Sequence, residues 1–299
     1  MSLHVNLASV ITNENGHLLL VRREDLGGWG LPAAWPHGDA ALLETAALGV
    51  HDATGLTARI ERAAGVYFWP GLATLTLVYA GSAVGGSRGS GQFFAPVALP
   101  AMPAHQTLMA LDALAQTRHR PRVLDISAAE QQRLRFGQSL RRFTGRLRGQ
   151  GGGPAPLLDV QAVAVVMDEG HRRVLTLRRK RTEALPRVVC AGQKPPWDEL
   201  AALIASEARV PVSFRWAGVW QDRASRRLDL IFAATASETF EQPGRSEWSL
   251  ARQVALPARE AQYISRVRPS FARDPIWIID QENSLKAGDT IPGSKESER

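Results

Sequence analysis

The chain alternates between two kinds of apolar spacing. In VNLASVITNENGHLLLVRR (5–23), aliphatic and β-branched residues form two short blocks around a polar turn, which predicts a strand hairpin. GGWGLPAAWPHGDAALLETAALGVHDATGL (27–56) opens as a turn of Gly, Trp and Pro. It then passes into an amphipathic helix, predicted near 40–53, that ends at Gly55. RAAGVYFW (62–69) and LATLTLVYAGSA (72–83) are strand-like again, and a second helix is predicted near 103–117. The same succession returns later, with helices near 196–209 and 257–268. Strand, helix, strand, helix in each half predicts an α/β chain, an α+β sandwich whose mixed sheets lie between helices.

The return keeps its order. The opening hairpin is answered by VQAVAVVMDEGHRRVLTLRR (160–179), and RAAGVYFW by RWAGVW (215–220). LATLTLVYAGSA is answered by LDLIFAATAS (228–237), and VALPA occurs at 97–101 and again at 254–258. Four echoes in one order, all at an offset near 155 residues, imply a tandem duplication. GQGGGPAP (149–156) has the glycine and proline content of a linker. The expected organisation is a first unit at 1–120, an Arg-rich segment and linker at 121–156, a second unit at 157–280 and a polar, disordered tail at 281–299.

Composition narrows the class. Of 299 residues, 44% are hydrophobic and 22% charged, as in a globular protein. No apolar run is long enough to span a bilayer, and MSLHVNLASV lacks the basic flank and apolar core of a signal peptide. The lone Cys190 excludes an internal disulfide framework and a multi-cysteine zinc site, so a cytoplasmic protein with no membrane partner is expected.

The net charge of +7 would suit a nucleic-acid partner, but it is local. Residues 118–148 hold nine arginines against Asp125 and Glu130, an excess of seven, so the remainder is formally neutral. In SAAEQQRLRFGQSLRRFTGRLRG, Ser127 and Glu130 fit a capping box, and Phe136, Leu140, Phe143 and Leu147 make one apolar helical stripe. One reading is a helix docked by that stripe with its arginines in solvent. The other is a contact for nucleic-acid phosphates or an acidic partner. No reader motif accompanies the basic helix, so docking is preferred.

GGWGLPAAWPHGD followed by LLETAALGVHDATGL resembles the Nudix hydrolase superfamily, whose box reads G-x5-E-x7-R-E-U-x-E-E-x-G-U with U aliphatic. The hairpin HLLLVRRED and the later FFAPVALPAMPAHQTLMALDALA fit the same family, over about 4–117 and more weakly 159–280. The resemblance implies two Nudix-like α/β/α sandwiches in tandem, which would pack on each other as an intramolecular pseudo-dimer. It also implies diphosphate hydrolysis at Mg²⁺ or Mn²⁺ held by helix carboxylates. Anchored on Thr54-Gly55-Leu56, the first Gly of the box falls on Ala34 and its first Glu on Ala40. The Arg-Glu pair falls on Leu48 and Gly49, and the Glu-Glu pair on Asp52 and Ala53.

Asp52 is the one acid left at a metal position, and each lost carboxylate removes ~3 kcal/mol of charge stabilisation. Glu44 is a second catalytic candidate, although it lies roughly 80° around the helix from Asp52. Asp39 reads either as a metal ligand or as a helix N-cap. In the second copy Leu203 and Ile204 fall on Arg-Glu, Glu207 and Ala208 on Glu-Glu, and Val210 on the closing Gly. Its loop LPRVVCAGQKPPWDEL is read as having lost the Trp-Gly-Leu-Pro turn.

Around the box, Trp29, Trp35, Tyr67, Trp69, Arg22 and Arg23, with His37 and Phe68, suit a stacked base beside a phosphate; equally, the aromatics suit a core. His4, His51 and His105 are given no role. The expected function is therefore binding of a nucleotide or nucleoside-diphosphate derivative with little or no hydrolysis. Its rivals are a divergent but active pyrophosphohydrolase and a nucleic-acid or acidic-partner module.

Overall fold

Alternation sorts β1 (His4–Thr12) onto two faces, with Val5, Leu7 and Ile11 on one and Ala8 and Val10 on the other. A computed structural model describes residues 3–23, 26–36, 40–86, 89–115, 120–127, 130–132, 134, 158–179, 182–237, 245–270 and 277–281. β1 is followed by β2 (Leu18–Arg23), β3 (Gly28–Gly30), β4 (Ala33–Ala34), helix α1 (Leu42–Thr54), β5 (Leu56–Trp69), β6 (Thr74–Gly86), β7 (Gly91–Phe94), α2 (Ala104–Leu114) and β8 (Arg122–Val123). The strands form one mixed sheet in the order β3-β2-β1-β6-β5-β8, with β4 paired to β1 and β7 to β2. Helix α1 covers the first face of the sheet through Leu42, Ala46 and Val50, and α2 covers the second through Met109, Ala110 and Ala113.

The later residues build the same pattern. β9 (Asp159–Asp168), β10 (Arg173–Arg179), β11 (Thr182–Ala184), β12 (Arg187–Val189), α3 (Pro196–Ala208), β13 (Arg215–Asp222), β14 (Arg227–Ala236), β15 (Ser246–Leu250), α4 (Ala258–Ser270) and β16 (Trp277–Gln281) follow in turn. Their sheet runs β11-β10-β9-β14-β13-β16, with β12 on β9 and β15 on β10. Both sheets join their first long strand in parallel to the third, β1 to β6 and β9 to β14. The chain is thus α/β, with two mixed sheets lying between helices.

The halves share an interior. One apolar cluster contains Leu7, Leu42, Ala46, Phe68 and Leu77 from the first half and Trp197, Leu200, Ile204 and Phe232 from the second. The Phe68 and Trp197 rings meet edge to face at 6.5 Å. Helices α1 and α3 therefore line this shared core, while α2 and α4 cover the outer faces of their sheets.

Three expectations are corrected. The first helix begins at Leu42 with Ala41 in the cap position and no side-chain cap of its own, so Asp39, outside the described residues, is not its N-cap. Gln221 of β13 supplies the missing acceptor instead: its Oε1 takes the Leu42 N–H at 2.9 Å, and its Nε2 donates to Ala40 O at 3.1 Å.

Second, α3 matches α1 one residue earlier than expected. Buried Pro196, Leu200, Ile204 and Ala208 stand where α1 has Leu42, Ala46, Val50 and Thr54. Arg209 (φ 57°) then takes the left-handed closing place of Gly55 (φ 74°), and the Glu-Glu positions become Ser206 and Glu207. Third, the later loop, read as lacking the Trp-Gly-Leu-Pro turn, matches half of it. Ser9 N–H donates to Pro32 O at 2.9 Å and Ala164 N–H to Pro186 O at 2.8 Å, so Leu185-Pro186 repeats Leu31-Pro32.

In the Arg-rich segment the Ser127 hydroxyl accepts the Glu130 N–H at 3.2 Å, the cap expected there. Leu134 is buried with the α2 cluster. Phe136, Leu140, Phe143 and Leu147, His37 and the tail from 282 lie outside the described residues.

Candidate functional site

The box helix presents its two acids to solvent. Glu44 and Asp52 are exposed, and Leu48, at the Arg position of the box, is 56% exposed. Gly49, where the resemblance places a metal-holding Glu, is pressed against the loop before the helix. A Cβ built there would lie 2.5 Å from Ala34 Cβ, closer than real side chains come. Ala34 itself stands at the first Gly of the box. Against the box that the resemblance implies, the loop position carries a methyl in place of Gly and the helix position a Gly in place of Glu. Among the described residues no three His, Cys, Asp or Glu side chains gather as a metal-holding group. The residues at the box positions therefore do not fit a Mg²⁺ or Mn²⁺ centre. In the second half Glu207 is half-buried and lies 4.0 Å from Arg245, with apolar Leu203 at the position of Gly49.

The six expected ligand residues divide into three groups. Exposed Arg22 lies over the Trp29 ring at 4.6 Å, and Trp29 meets Phe94 edge to face at 4.9 Å. This makes an aromatic and cationic patch on β2, β3 and β7. Arg23, Trp35 and Trp69 line a cavity between the sheet and α2, together with Asn6, Thr74, Thr76, His105, Gln106 and Leu134. Arg23 donates to Leu31 O at 3.2 Å, and the Trp69 indole donates to Thr76 Oγ1 at 2.9 Å. Tyr67 belongs to neither group. It is buried, and its hydroxyl donates to Asp112 at 2.8 Å, which Arg122 also grips at 2.9 Å. Burial first, and then the bond to Asp112 and its charge, push the Tyr67 phenol above its ordinary value. Phe68, between them in sequence, points to the opposite face and the shared core.

The cavity holds about 50 Å³. That suits a water or two and falls far below the roughly 300–1,000 Å³ of a small-molecule pocket. The sequence reading missed its polar wall. His105, given no role there, sits 5% exposed with its ring edge-on to Trp69 at 4.7 Å, and its Nδ1 lies 2.9 Å from Glu130. Its neighbour Gln106 accepts the Leu31 N–H at 3.0 Å and so ties the Gly-Trp-Gly-Leu-Pro turn to α2. The sequence signal was slight: two polar residues opening a helix whose next buried positions are Met109, Ala110 and Ala113.

No family model matches the chain, and no curated protein matches it. Among solved structures it is similar over 41% of its length to 98% of an ADP-ribose pyrophosphatase from Streptococcus suis, at 20% identity and TM-score 0.33. A Nudix hydrolase from Nitrosomonas europaea is similar over 42% of this chain and 81% of its own, at 15% identity and TM-score 0.38. A MutT protein from Methanosarcina mazei is similar over 37% and 91%, at 22% identity and TM-score 0.32.

Proposed function

We propose that this chain is a tandem Nudix-like protein whose first box keeps its shape but not its metal chemistry, and which binds a nucleotide or nucleoside-diphosphate derivative with little or no hydrolysis. The observation that carries this reading is the contact between Gly49 and Ala34. The place of a metal-holding carboxylate has become a packing contact between helix and loop. Asp52 and Glu44 remain as solvent-exposed acids and supply no cluster. For the ligand, exposed Arg22 over Trp29, with Phe94 beside it, offers an aromatic surface with a cation at its edge.

The second unit, in this reading, is a duplicate that serves as a buttress. It shares an apolar core with the first and caps α1 through Gln221, so the pair acts as an intramolecular pseudo-dimer and the chain works as a monomer. A thermal-shift panel of nucleotides, with and without Mg²⁺ or Mn²⁺, tests the function. A true ligand at a hundredfold its Kd adds about 2.7 kcal/mol of stability, and the shift is expected to be the same without metal. A panel that shifts nothing, or shifts only with metal and with turnover, contradicts the proposal.

A further inference from the structure

A second cluster lies on the outer face of the C-terminal sheet, beneath α4, in the place that the small cavity takes in the first half. The match is fixed by one bond. Leu31 N–H donates to Gln106 at 3.0 Å, and Leu185 N–H donates to Glu260 at 2.7 Å. Arg259 then stands for His105 and Arg187 for Ala33, while Arg227 and Asp229 stand for Thr74 and Thr76 by their strand pairing. At the matched positions the first half carries Ala33, Thr74, Thr76, His105 and Gln106, while the second carries three guanidiniums and two carboxylates. Packing alone does not demand these charges, and bringing them out of water is costly.

The arrangement leans towards positive charge. Arg227 grips Asp229 at 2.7 and 3.3 Å, Tyr263 donates to the same carboxylate at 2.7 Å, and Arg259 stands 3.7 Å away. Glu260 pairs with Arg187. The three guanidinium side chains keep 18–23% of their surface in solvent. Arg259 is the second residue of α4, where the helix dipole disfavours a cation, and it lies over the Trp220 ring at 4.7 Å. Burial first, and then Arg259 and Arg227, pull the Arg187 guanidinium below its ordinary value. The buried Trp220 indole N–H finds no acceptor among the described residues. Three guanidiniums thus face two carboxylates, one of the cations standing at a helix start, and the surplus positive charge favours an anion with several acceptor oxygens.

We propose that Arg187, Arg227 and Arg259 form an oxyanion site for a phosphate group, free or carried on a small molecule, separate from the N-terminal box. Calorimetric titration of the full chain with inorganic phosphate at low ionic strength tests it. Saturable binding is expected, weakened about tenfold or more by Arg259→Gln. Glu260→Gln is expected to act in the opposite direction. Glutamine already serves at the matching Gln106, so the bond to Leu185 is kept while one repelling charge is removed, and phosphate binding tightens about tenfold. Should Arg259→Gln fail to fold by circular dichroism, Arg259→Lys, which keeps the charge and loses the fork, is expected to weaken binding as well. AMP in place of phosphate separates the sources: affinity equal to phosphate assigns the free ion, and tighter binding assigns a phosphomonoester. The proposal is overturned by no saturable phosphate binding, by unchanged affinity in the Arg259 variant, by weaker binding in Glu260→Gln, or by acetate binding as tightly as phosphate.

Discussion

Replacing Gly49 with Ala tests the contact on which the functional reading rests. In an exposed helix interior the change would add about 1 kcal/mol of stability, because Gly is the poorer helix former. Here the added methyl would lie 2.5 Å from Ala34 Cβ, with Ala34 Cα at 3.5 Å behind it. Neither side yields easily. Ala34 is registered against Leu7 on β1, and the next helix residue, Val50, is fully buried. Overpacking of this kind costs about 1–3 kcal/mol, so the net effect is a loss of about 1 kcal/mol. Adding Ala34→Gly removes the opposing methyl, and the pair is expected to show a favourable coupling of about 1–3 kcal/mol. Urea unfolding of the wild type, both single variants and the double variant measures this as shifts in midpoint at constant slope. A stabilised Gly49→Ala with additive effects would refute the contact.

Three further expectations concern the box, the cap of α1 and a paired carboxylate. Gly49→Glu with Ala53→Glu should leave Mn²⁺ binding undetectable by calorimetry, while the same pair on an Ala34→Gly background should acquire it; equal behaviour of the two backgrounds would sink the steric argument. Gln221→Leu removes the acceptor for the Leu42 N–H and should cost about 1–2 kcal/mol in urea unfolding, whereas no change would mean that water serves α1 as well. Asp168 accepts the Arg172 and Arg173 N–H groups at 2.8 and 3.0 Å, and these bonds outweigh its burial and hold its carboxyl below the ordinary value. Its stabilisation is therefore present above the unfolded carboxylate pKa and lost as pH falls through the depressed folded one. Asp168→Asn should lower the urea midpoint at neutral pH, with the gap closing in acid; a gap that widens in acid would contradict the sign.

The local elements were largely legible in the sequence. Hairpin alternation in 5–23, the helical spacing that ends at Gly55 and the ordered echoes gave the strands, the helices and the repeated layout because each depends on neighbours in sequence. The one-residue error in placing α3 has a local cause. The echoes lie in strands, while α1 and α3 share almost no residues, and only burial and the left-handed Arg209 fix their match. Leu185-Pro186 escaped notice because Trp-Gly, the more visible half of the turn, is Glu183-Ala184 in the second unit. The shared core was illegible for another reason: Phe68 and Trp197 look like ordinary interior residues until both sheets are in place. His105 with Glu130, and Arg187 with Glu260, are brought together by the fold alone, across 25 and 73 positions.

On the proposed reading, the first box keeps its form without diphosphate chemistry. Turnover of ADP-ribose by the full chain, with Mg²⁺ and with Mn²⁺ beside a metal-free control, tests it most directly. Rates at background are expected in all three conditions, with no change on Asp52→Ala. Robust metal-dependent hydrolysis, abolished by Asp52→Ala in a protein that still folds, would contradict it.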